Sequence, residues 1–477
     1  MHQHSHHSSY ITREAARRLP PFRHGLQFLL TFLIVVLSAV WIHGAPSVTS
    51  QDRRPNVVLL ITDDQRFDTL EHMPIVQHEL VGRGVTFTNA YATTPHCCPS
   101  RASILTGQYA QTHGVLRNSG SSGGWRGFDD RSTMATWLQN AGFRTMLAGK
   151  YLNLYRSYVV PQGWEEWFAI WDTGDKFKNY TVNHNGQAHF YPDRETLYST
   201  RVLRDQALHW LKEDDTRPFF LYLSFDGPHA PAEPTRRDRE SFAELRQHLP
   251  SFNENDVSDK PSWVQRLPEL DAGDQRKLDQ FRRRQLQSLQ VIDRAIGAIV
   301  EQLRTDGRLE NTWFIFLSDN GMSLGEHRYG PHKSCGYEEC VRIPIVVTPP
   351  TSTNADANEP RVNDRLVLNI DIAPTVAEIS GVDPDSRVDG TSLVSLLNEP
   401  AGSWREEARL ELWTDQSSTT FKGIRRGDWK FIRYDNGEQE LYNLIDDPYE
   451  LENLITRIEH ARLIQSLSAS IVESPPE

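Results

Sequence analysis

Short apolar runs, separated by polar turns and longer mixed segments, recur along the chain from Pro55 onwards. The runs are Val57–Thr62, Val85–Thr88, Thr145–Ala148, Phe219–Phe225, Trp313–Ser318 and Ile343–Thr348. Segments this short and this apolar are typical of central strands that are covered on both faces. A segment between two of them carries apolar residues every three or four positions, which predicts a long amphipathic helix. Its apolar residues are Leu289, Ile292, Ile296, Ile299 and Leu303. Together these elements predict a layered α/β sandwich.

The pattern changes towards the C-terminus. Residues 351–363 are polar and are expected to form a loop. After Pro400 the strand-like runs become shorter, and they predict a small antiparallel sheet that closes near Leu454. These runs are Arg409–Trp413, Phe421–Arg425 and Trp429–Tyr434. We therefore expect a main domain over residues 50–400 and a small C-terminal subdomain over residues 401–477.

Residues 1–45 have the pattern of a segment that directs export. Arginines precede an uncharged apolar stretch at residues 26–42, as in a signal peptide. The stretch is slightly short for a bilayer crossing, so a cleaved signal and a retained membrane anchor both stay open. Residues 1–25 are expected to be disordered. The protein is then exported to a periplasmic, extracellular or lysosome-like compartment.

The charge balance narrows the choice of partners. The chain has 51 basic and 63 acidic residues and a net charge of −12. This balance argues against binding to nucleic acid. An anionic substrate would instead require a local pocket of positive charge.

The cysteines do not form a disulfide framework or a zinc site by their spacing. There are four, at Cys97, Cys98, Cys335 and Cys340. Neither close pair has the ligand spacing of structural zinc. In an oxidising compartment Cys335 and Cys340 are able to pair, and the sequence leaves open whether they do.

The segment from His96 to Gly107 combines a cysteine with the signals of a helix start. Pro99 suits the first turn of a helix, and Gly107 would end it. Cys97 would then lie at the helix N-terminus, where free amides and the helix dipole favour an anion. A buried cysteine with a packing role is the alternative for this residue alone.

Oxygen-bearing side chains follow two of the predicted strands. Asp63 and Asp64 come directly after the first, and Asp319 and Asn320 come directly after Trp313–Ser318. Adjacent carboxylates at a strand end are costly unless a cation lies between them, although solvated loop acids would explain either pair alone. Three carboxylates and one amide oxygen suit Ca²⁺ and also accept Mg²⁺.

Candidate cations also lie at the ends of strands and loops. They are Arg101, Lys150, His229 and Lys333. Each one alone is more often a surface charge or a histidine with a structural partner. As a set they supply the positive pocket that an anionic substrate requires.

The signature around Cys97 resembles that of a known enzyme family. The order Cys-x-Pro-Ser-Arg followed by Thr-Gly at residues 97–107 is similar to type I, formylglycine-dependent sulfatases of the alkaline phosphatase superfamily, and the order of motifs agrees over residues 55–455. The stretch Ala148–Asn153 and the double cysteine resemble the N-acetylglucosamine-6-sulfatase and heparan 6-O-endosulfatase branch. The resemblance implies an alkaline-phosphatase-like sandwich with a large mixed central sheet flanked by helices.

The resemblance also implies roles for individual residues. Asp63, Asp64, Asp319, Asn320 and Cys97, oxidised to formylglycine, would bind the metal. Arg101 would hold the formylglycine hydrate, Lys150 and Lys333 would contact sulfate oxygens, and His229 would lie beside the bridging oxygen. Many sulfatases have a histidine where this chain has Leu152. The final proton acceptor therefore stays open among His113, His327 and His332, of which we select His113.

The activity implied is hydrolysis of a sulfate ester on a carbohydrate, with a 6-O-sulfated N-acetylglucosamine or glucosamine unit as the preferred substrate. A formylglycine-generating enzyme would be the partner in maturation. A hydrated aldehyde has two hydroxyls on one carbon, so one attacks sulfur while the other later expels the sulfate. The alternatives are an arylsulfatase, a phosphodiester or phosphonate monoester hydrolase on the same scaffold, and a glycan-binding relative without catalysis.

Overall fold

The computed structural model describes residues 54–173, 175–245, 248–351, 361–398, 402–414 and 419–471. The predicted export or anchor segment of residues 1–45 lies outside them. Among the described residues, the helices are too short or too polar to cross a bilayer.

The apolar runs form the strands of a central sheet, as predicted. In chain order the strands of the protein are β1 Asn56–Thr62, β2 Val85–Phe87, β3 Ala90–Tyr91, β4 Arg144–Gly149, β5 Glu166–Ile170, β6 Tyr180–His184, β7 Gln187–Tyr191, β8 Phe219–Ser224, β9 Thr312–Ser318, β10 Ile345–Thr348, β11 Arg361–Asn363, β12 Val367–Leu368, β13 Glu407–Leu412, β14 Phe421–Arg426, β15 Trp429–Tyr434 and β16 Gln439–Asn443. The central sheet has the order β11-β2-β10-β9-β1-β8-β4-β5-β6-β7. Its middle strands β9, β1, β8, β4 and β5 are parallel, whereas β10 and β6 run antiparallel to their neighbours.

Helices cover both faces of this sheet. The α-helices span Pro74–Glu79, Cys97–Thr106, Ala110–His113, Met134–Asn140, Ser199–Leu211, Ser262–Gln265, Ala272–Thr305, Glu338–Val341, Ile372–Ser380, Val394–Asn398 and Ala461–Ser470. Alternate residues of β1 enter two different cores, with Leu59 in one and Leu60 in the other. The predicted amphipathic helix lies within Ala272–Thr305 and packs into the core of Leu60. The layered α/β sandwich is therefore confirmed.

The C-terminal part forms a separate antiparallel sheet in the order β13-β14-β15-β16. Its sequence pattern was expected to close near Leu454, but the helix Ala461–Ser470 continues the packing: Leu467 and Ile471 share a core with Phe431 of β15. The pattern missed this helix because its apolar face is short and lies against the sheet. The boundary at residues 400 and 401 stays a prediction.

The structure corrects one further expectation from the sequence and answers a question that the sequence left open. Within the polar segment 351–363, residues Arg361–Asn363 are not a loop but pair in parallel with β2, since a short edge strand needs little apolar surface. Cys335 and Cys340 form a disulfide with their Cα atoms 5.8 Å apart. Cys97 and Cys98 are free and buried.

Candidate active site

The site is assembled at one edge of the central sheet. Strands β9, β1, β8 and β4 are adjacent and parallel, so their carboxyl ends meet at the same edge. Asp319 follows β9, Asp63 follows β1 and Lys150 follows β4. The loop after β8 leads to His229. Residues far apart in sequence are brought together in this way.

The predicted metal ligands form one buried cluster. Oxygen atoms of Asp63, Asp64 and Asp319 lie within 4.8 Å of one another. The amide of Asn320 donates to Asp64 Oδ1 at 2.7 Å, and the backbone N–H of Asp64 donates to Asp319 Oδ1 at 3.1 Å. These bonds leave Asp64 Oδ2 and Asn320 Oδ1 buried without a hydrogen-bond partner. Buried oxygens without donors are costly, and a hard cation such as Ca²⁺ or Mg²⁺ would satisfy them, so the residues fit the predicted metal.

Cys97 begins the helix that faces this cluster. The helix spans Cys97–Thr106, and Gly107 ends it in the left-handed conformation (φ 70°), as the sequence predicted. The thiol of Cys97 donates to Asp63 Oδ1 at 3.5 Å. Sγ also lies within 4.8 Å of the ligand atoms of Asp63 and His229. The helix N-terminus therefore presents position 97 to the acidic cluster.

The thiol itself is poorly suited to attack. Burial and the neighbouring carboxylate of Asp63 raise the pKa of Cys97 to about 11, despite the opposing charges of Lys150 and Lys333. A thiol with this pKa is neutral near pH 7, and the neutral form is a weak nucleophile.

Three cations surround the cluster. Arg101 Nε donates to Asp319 Oδ2 at 2.8 Å, and its Nη1 donates to Ser224 Oγ at 2.7 Å. Lys150 forms an ion pair with Asp63, and Lys333 forms one with Asp64. Lys333 Nζ also lies 2.7 Å from Cys97 Sγ. The positive pocket that the acidic net charge required is present.

The charges within this network affect the two central carboxyls differently. Burial would raise the pKa of Asp63, but Lys150, His229 and Arg101 outweigh it and hold that pKa well below its usual value. Burial and the charge of Asp63 raise the pKa of Asp319. The ionised form is therefore favoured at Asp63 and disfavoured at Asp319.

His229 reaches the same cluster from the loop after β8. The N–H of Asp63 donates to the carbonyl of Gly227, which anchors this loop. The imidazole contacts the carbonyl of Ala230 through Nδ1 at 2.7 Å, so Nδ1 carries a proton. Its Nε2 lies 3.8 Å from Asp64 Oδ2. Burial lowers the pKa of His229, partly opposed by Asp63.

The three histidines considered as proton acceptors have other partners. His113 Nε2 pairs with Ser103 Oγ at 3.0 Å, and Nδ1 accepts from the N–H of Val115. His327 Nδ1 pairs with Glu254. The ring of His332 packs on Tyr329. In the part of the chain that the structure describes, no contact joins His113 to the acidic cluster, because its ring is held on the Ser103 side of the helix.

The structure adds residues that the sequence interpretation did not select. Ser100 donates to the carbonyl of Asp319 and accepts from the Asn369 amide at 2.9 Å, which fixes the Cys97 helix against β9. His96 Nε2 pairs with Ser334 Oγ at 2.7 Å, next to Lys333. Burial, with a contribution from Lys333, lowers the pKa of His96 to about 4. Of these two residues, Ser100 is the one that the sequence could have indicated, because it is the serine of the Cys-x-Pro-Ser-Arg signature.

Comparison with protein families gives two matches. The Sulfatase family model matches residues 55–382. A second model, described as N-sulphoglucosamine sulphohydrolase, C-terminal, matches residues 325–475. The first match contains both strand tips, the Cys97 helix and all three cations.

Curated relatives carry sulfatase names. The Sulf-1 homolog of Caenorhabditis elegans is 34% identical over 399 residues, which are 81% of this chain and 54% of the relative. The N-acetylglucosamine-6-sulfatase of Homo sapiens is 29% identical over 467 residues, covering 87% of this chain and 84% of that protein. The chain spans 54% of the Caenorhabditis elegans protein and 34% of the Drosophila melanogaster SULF-1 homolog that it matches.

Solved structures share the fold. One, in complex with its substrate D-glucosamine-2-N,6-O-disulfate, has a TM-score of 0.74 at 23% identity and covers 87% of this chain and 96% of its own. The phosphonate monoester hydrolase of Agrobacterium radiobacter has a TM-score of 0.71 at 22% identity, with 87% and 94% covered. The alkaline-phosphatase-like sandwich with its small antiparallel sheet is thus confirmed. On the family match, which spans both strand tips and the Cys97 helix, the chain belongs to the sulfatase family.

Proposed function

We propose that the protein is a formylglycine- and Ca²⁺-dependent sulfuric ester hydrolase that releases sulfate from a 6-O-sulfated glucosamine or N-acetylglucosamine unit. One observation carries the proposal: Cys97, at a helix N-terminus, contacts Asp63, whose carboxylate lies beside those of Asp64 and Asp319, and the ammonium of Lys333 contacts Cys97 from the other strand tip's loop. A protein that only binds glycans has no need of this complete set.

The family implies two groups, a divalent cation and a formylglycine, and residues of this chain would supply both sites. A divalent cation held by Asp63, Asp64, Asp319 and Asn320 would supply Lewis-acid stabilisation of the sulfate charge. Cys97, converted to formylglycine by a maturation enzyme, would supply a hydrated aldehyde with one hydroxyl for attack and one for release.

The chain's own cations bind and orient the substrate. Lys150 pairs with Asp63 and Lys333 pairs with Asp64, and both ammonium groups would contact sulfate oxygens. Arg101 is held by Asp319 and Ser224, so its guanidinium is rigid before the substrate binds. Fixed donors of this kind cost little reorganisation during the reaction.

Proton transfer is proposed for His229, with Lys333 as the alternative donor. The ligand atoms of His229, Asp63 and Cys97 lie within 4.8 Å of one another. In its protonated form Nε2 would donate to the departing sugar oxygen. The role predicted for His113 as the final proton acceptor gains no support from its contacts with Ser103 and Val115.

The proposed substrate and location follow from relatives. Two relatives are named N-acetylglucosamine-6-sulfatase, from Homo sapiens and Capra hircus. The Drosophila melanogaster relative is named an extracellular sulfatase, which supports export. Together with the resemblance of Ala148–Asn153 to the same branch, these names favour a 6-O-sulfated amino sugar.

The test compares three substrates on protein whose Cys97 has been converted to the aldehyde. Mass spectrometry of the Cys97 peptide first measures conversion. Hydrolysis is then measured as sulfate released from N-acetylglucosamine-6-sulfate and from an aryl sulfate, and as alcohol released from a phosphonate monoester. We expect conversion and the highest kcat/KM on the amino sugar. A higher kcat/KM on the phosphonate would identify a phosphonate hydrolase, and an unconverted, inactive protein from its native host would identify a glycan-binding relative.

A further inference from the structure

A second buried cluster of metal-ligating side chains lies outside the catalytic cluster. The ligand atoms of His327, Glu339 and Glu450 lie within 4.8 Å of one another. All three residues are buried, with at most 2% of their surface exposed. They come from three segments: the loop after β9, the helix Glu338–Val341 and the turn that follows β16.

Three buried atoms of these side chains form no hydrogen bond. They are His327 Nε2, Glu339 Oε2 and Glu450 Oε1, of which the last forms an ion pair with Lys430 and the other two have no partner. An unpaired polar atom in the interior costs on the order of 1–3 kcal/mol, so two in one cluster indicate a missing ligand. The unpartnered nitrogen of His327 is therefore a second observation, separate from the two carboxylates, that supports a ligand at this cluster.

His327 and Glu339 are each oriented by a partner on their other polar atom, and Glu450 is held by the backbone and by Lys430. His327 Nδ1 pairs with Glu254 Oε2 at 2.6 Å, and Ser251 Oγ donates to Glu339 Oε1 at 3.1 Å. The N–H of Glu338 donates to Glu450 Oε2 at 2.8 Å. A carboxylate on the second nitrogen of a metal-binding histidine is the usual arrangement at metal sites, because it fixes the ring orientation.

The spacing suits an ion better than direct contacts. His327 Nε2 forms no hydrogen bond, although both carboxylates are near. Two ligands about 2.1 Å from a tetrahedral Zn²⁺ lie about 3.4 Å apart, which is compatible with the 4.8 Å within which the three ligand atoms lie. One imidazole and two carboxylates form a set that binds Zn²⁺.

We propose that His327, Glu339 and Glu450 bind a divalent metal of the Zn²⁺ class, at a structural site separate from the catalytic cation. The segment between His327 and Glu339 carries Lys333, whose ammonium contacts Cys97. A metal at this site would tie that segment to the turn at Glu450. It would thereby hold Lys333 in place.

Lys430 bears on the affinity of this site. Its ammonium forms ion pairs with Glu338 at 3.0 Å and with Glu450 at 2.5 Å. The lysine orients Glu450, and its positive charge also repels a further cation. The rival occupants of the space are a water molecule and a proton shared among the three side chains.

The experiment measures bound Zn²⁺ on the full-length protein in saturating Ca²⁺. Chelator-treated protein is dialysed against Zn²⁺, and the metal retained is counted by mass spectrometry. The variants are H327Q and E339Q, which are close in shape to the native residues. The matched control is C97A/D63N, which removes two of the ligands that Zn²⁺ would use in the catalytic cluster, including Asp63, which belongs to both of its ligand groups.

We expect one equivalent of Zn²⁺ in the wild type and in C97A/D63N, and none in H327Q or E339Q. Zn²⁺ should also raise the Tm of the wild type. This measurement tests the proposal even if a variant fails to fold. No retained Zn²⁺ in the wild type, or retention that C97A/D63N loses and H327Q keeps, would overturn the proposal in favour of water or a proton. These outcomes do not depend on sulfatase activity.

Discussion

The ammonium of Lys333 lies 2.7 Å from the thiol of Cys97, although 236 positions separate the two residues in the chain. The contact joins the start of a helix to a loop beyond β9, and the disulfide Cys335–Cys340 immediately follows that loop residue. The positive charge of Lys333 therefore lies next to Cys97, the expected nucleophile.

Replacing Cys97 by Ser should abolish turnover. A serine that is not oxidised has a single hydroxyl, so the second hydroxyl needed to expel sulfate is missing, and we expect kcat to fall on the order of 10³-fold or more. The measurement is sulfate release under multiple-turnover conditions. Cys98→Ser is the matched control and should keep activity, because the Cys98 thiol contacts the backbone of Asn153 and Gly124 and its N–H donates to Asn118. Turnover by Cys97→Ser at the wild-type rate would refute the role of Cys97.

Removal of the divalent cation should stop catalysis reversibly. Asp64 Oδ2 and Asn320 Oδ1 are buried and unpaired, so the proposed cation is their partner. A chelator should abolish sulfate release, and added Ca²⁺ should restore it. Asp319→Asn should not be restored by Ca²⁺, whereas the exposed control Asp256→Asn should behave like wild type. Full activity in a chelator would contradict the metal assignment.

Arg101→Lys should lower kcat/KM although the charge is kept. Arg101 contacts Asp319 and Ser224 through different nitrogens, and a lysine has one ammonium and cannot span both. We expect a loss on the order of 10²-fold. Steady-state kinetics measures it, with Arg131→Lys as a control, since Arg131 pairs with Asp129 at the surface. An unchanged kcat/KM would show that charge alone is sufficient.

Breaking the disulfide should destabilise the protein and loosen the segment that carries Lys333. The bridge closes a short loop, for which the entropy of the unfolded chain predicts about 2 kcal/mol. Cys335→Ser should therefore lower the midpoint of urea unfolding and raise KM. A reductant should do the same to the wild type but not to the variant. If neither value changes, the bridge does not support the site.

His113 should make the protein less stable at acid pH. Burial lowers the pKa of His113 to about 3, below the ordinary value of 6.5, so the unfolded chain takes up a proton first as pH falls. Above pH 6.5 this histidine therefore does not change the free energy of unfolding. Between pH 6.5 and pH 3 it lowers that free energy by about 1.4 kcal/mol per pH unit. Urea unfolding between pH 7 and pH 4 should show a smaller decrease for His113→Gln.

The same variant tests the proton-acceptor prediction. If His113 accepts the final proton, His113→Gln should lower kcat at pH 7, where its stability is little affected. From the contacts with Ser103 and Val115 we expect kcat to be kept. Folding and catalysis are thus separated by one substitution.

The sequence by itself determined the most apolar strands, the signature helix and the ligand types, but not the less apolar strands β5, β6, β7 and β11. Continuous apolar runs such as Val57–Thr62 form central strands because both faces are covered, and Gly107 ends the Cys97 helix because it adopts a positive φ easily. These are local properties, so they can be recognised without coordinates.

Only the tertiary structure decided which of these residues meet. Strand order places β9, β1, β8 and β4 side by side, and this order depends on long-range packing that no local pattern encodes. The fold therefore brings His229 to Cys97 and holds His113 against Ser103, although both are histidines near helix or strand ends. Likewise it pairs Cys335 with Cys340 and gathers His327, Glu339 and Glu450, because burial leaves their polar atoms few other partners.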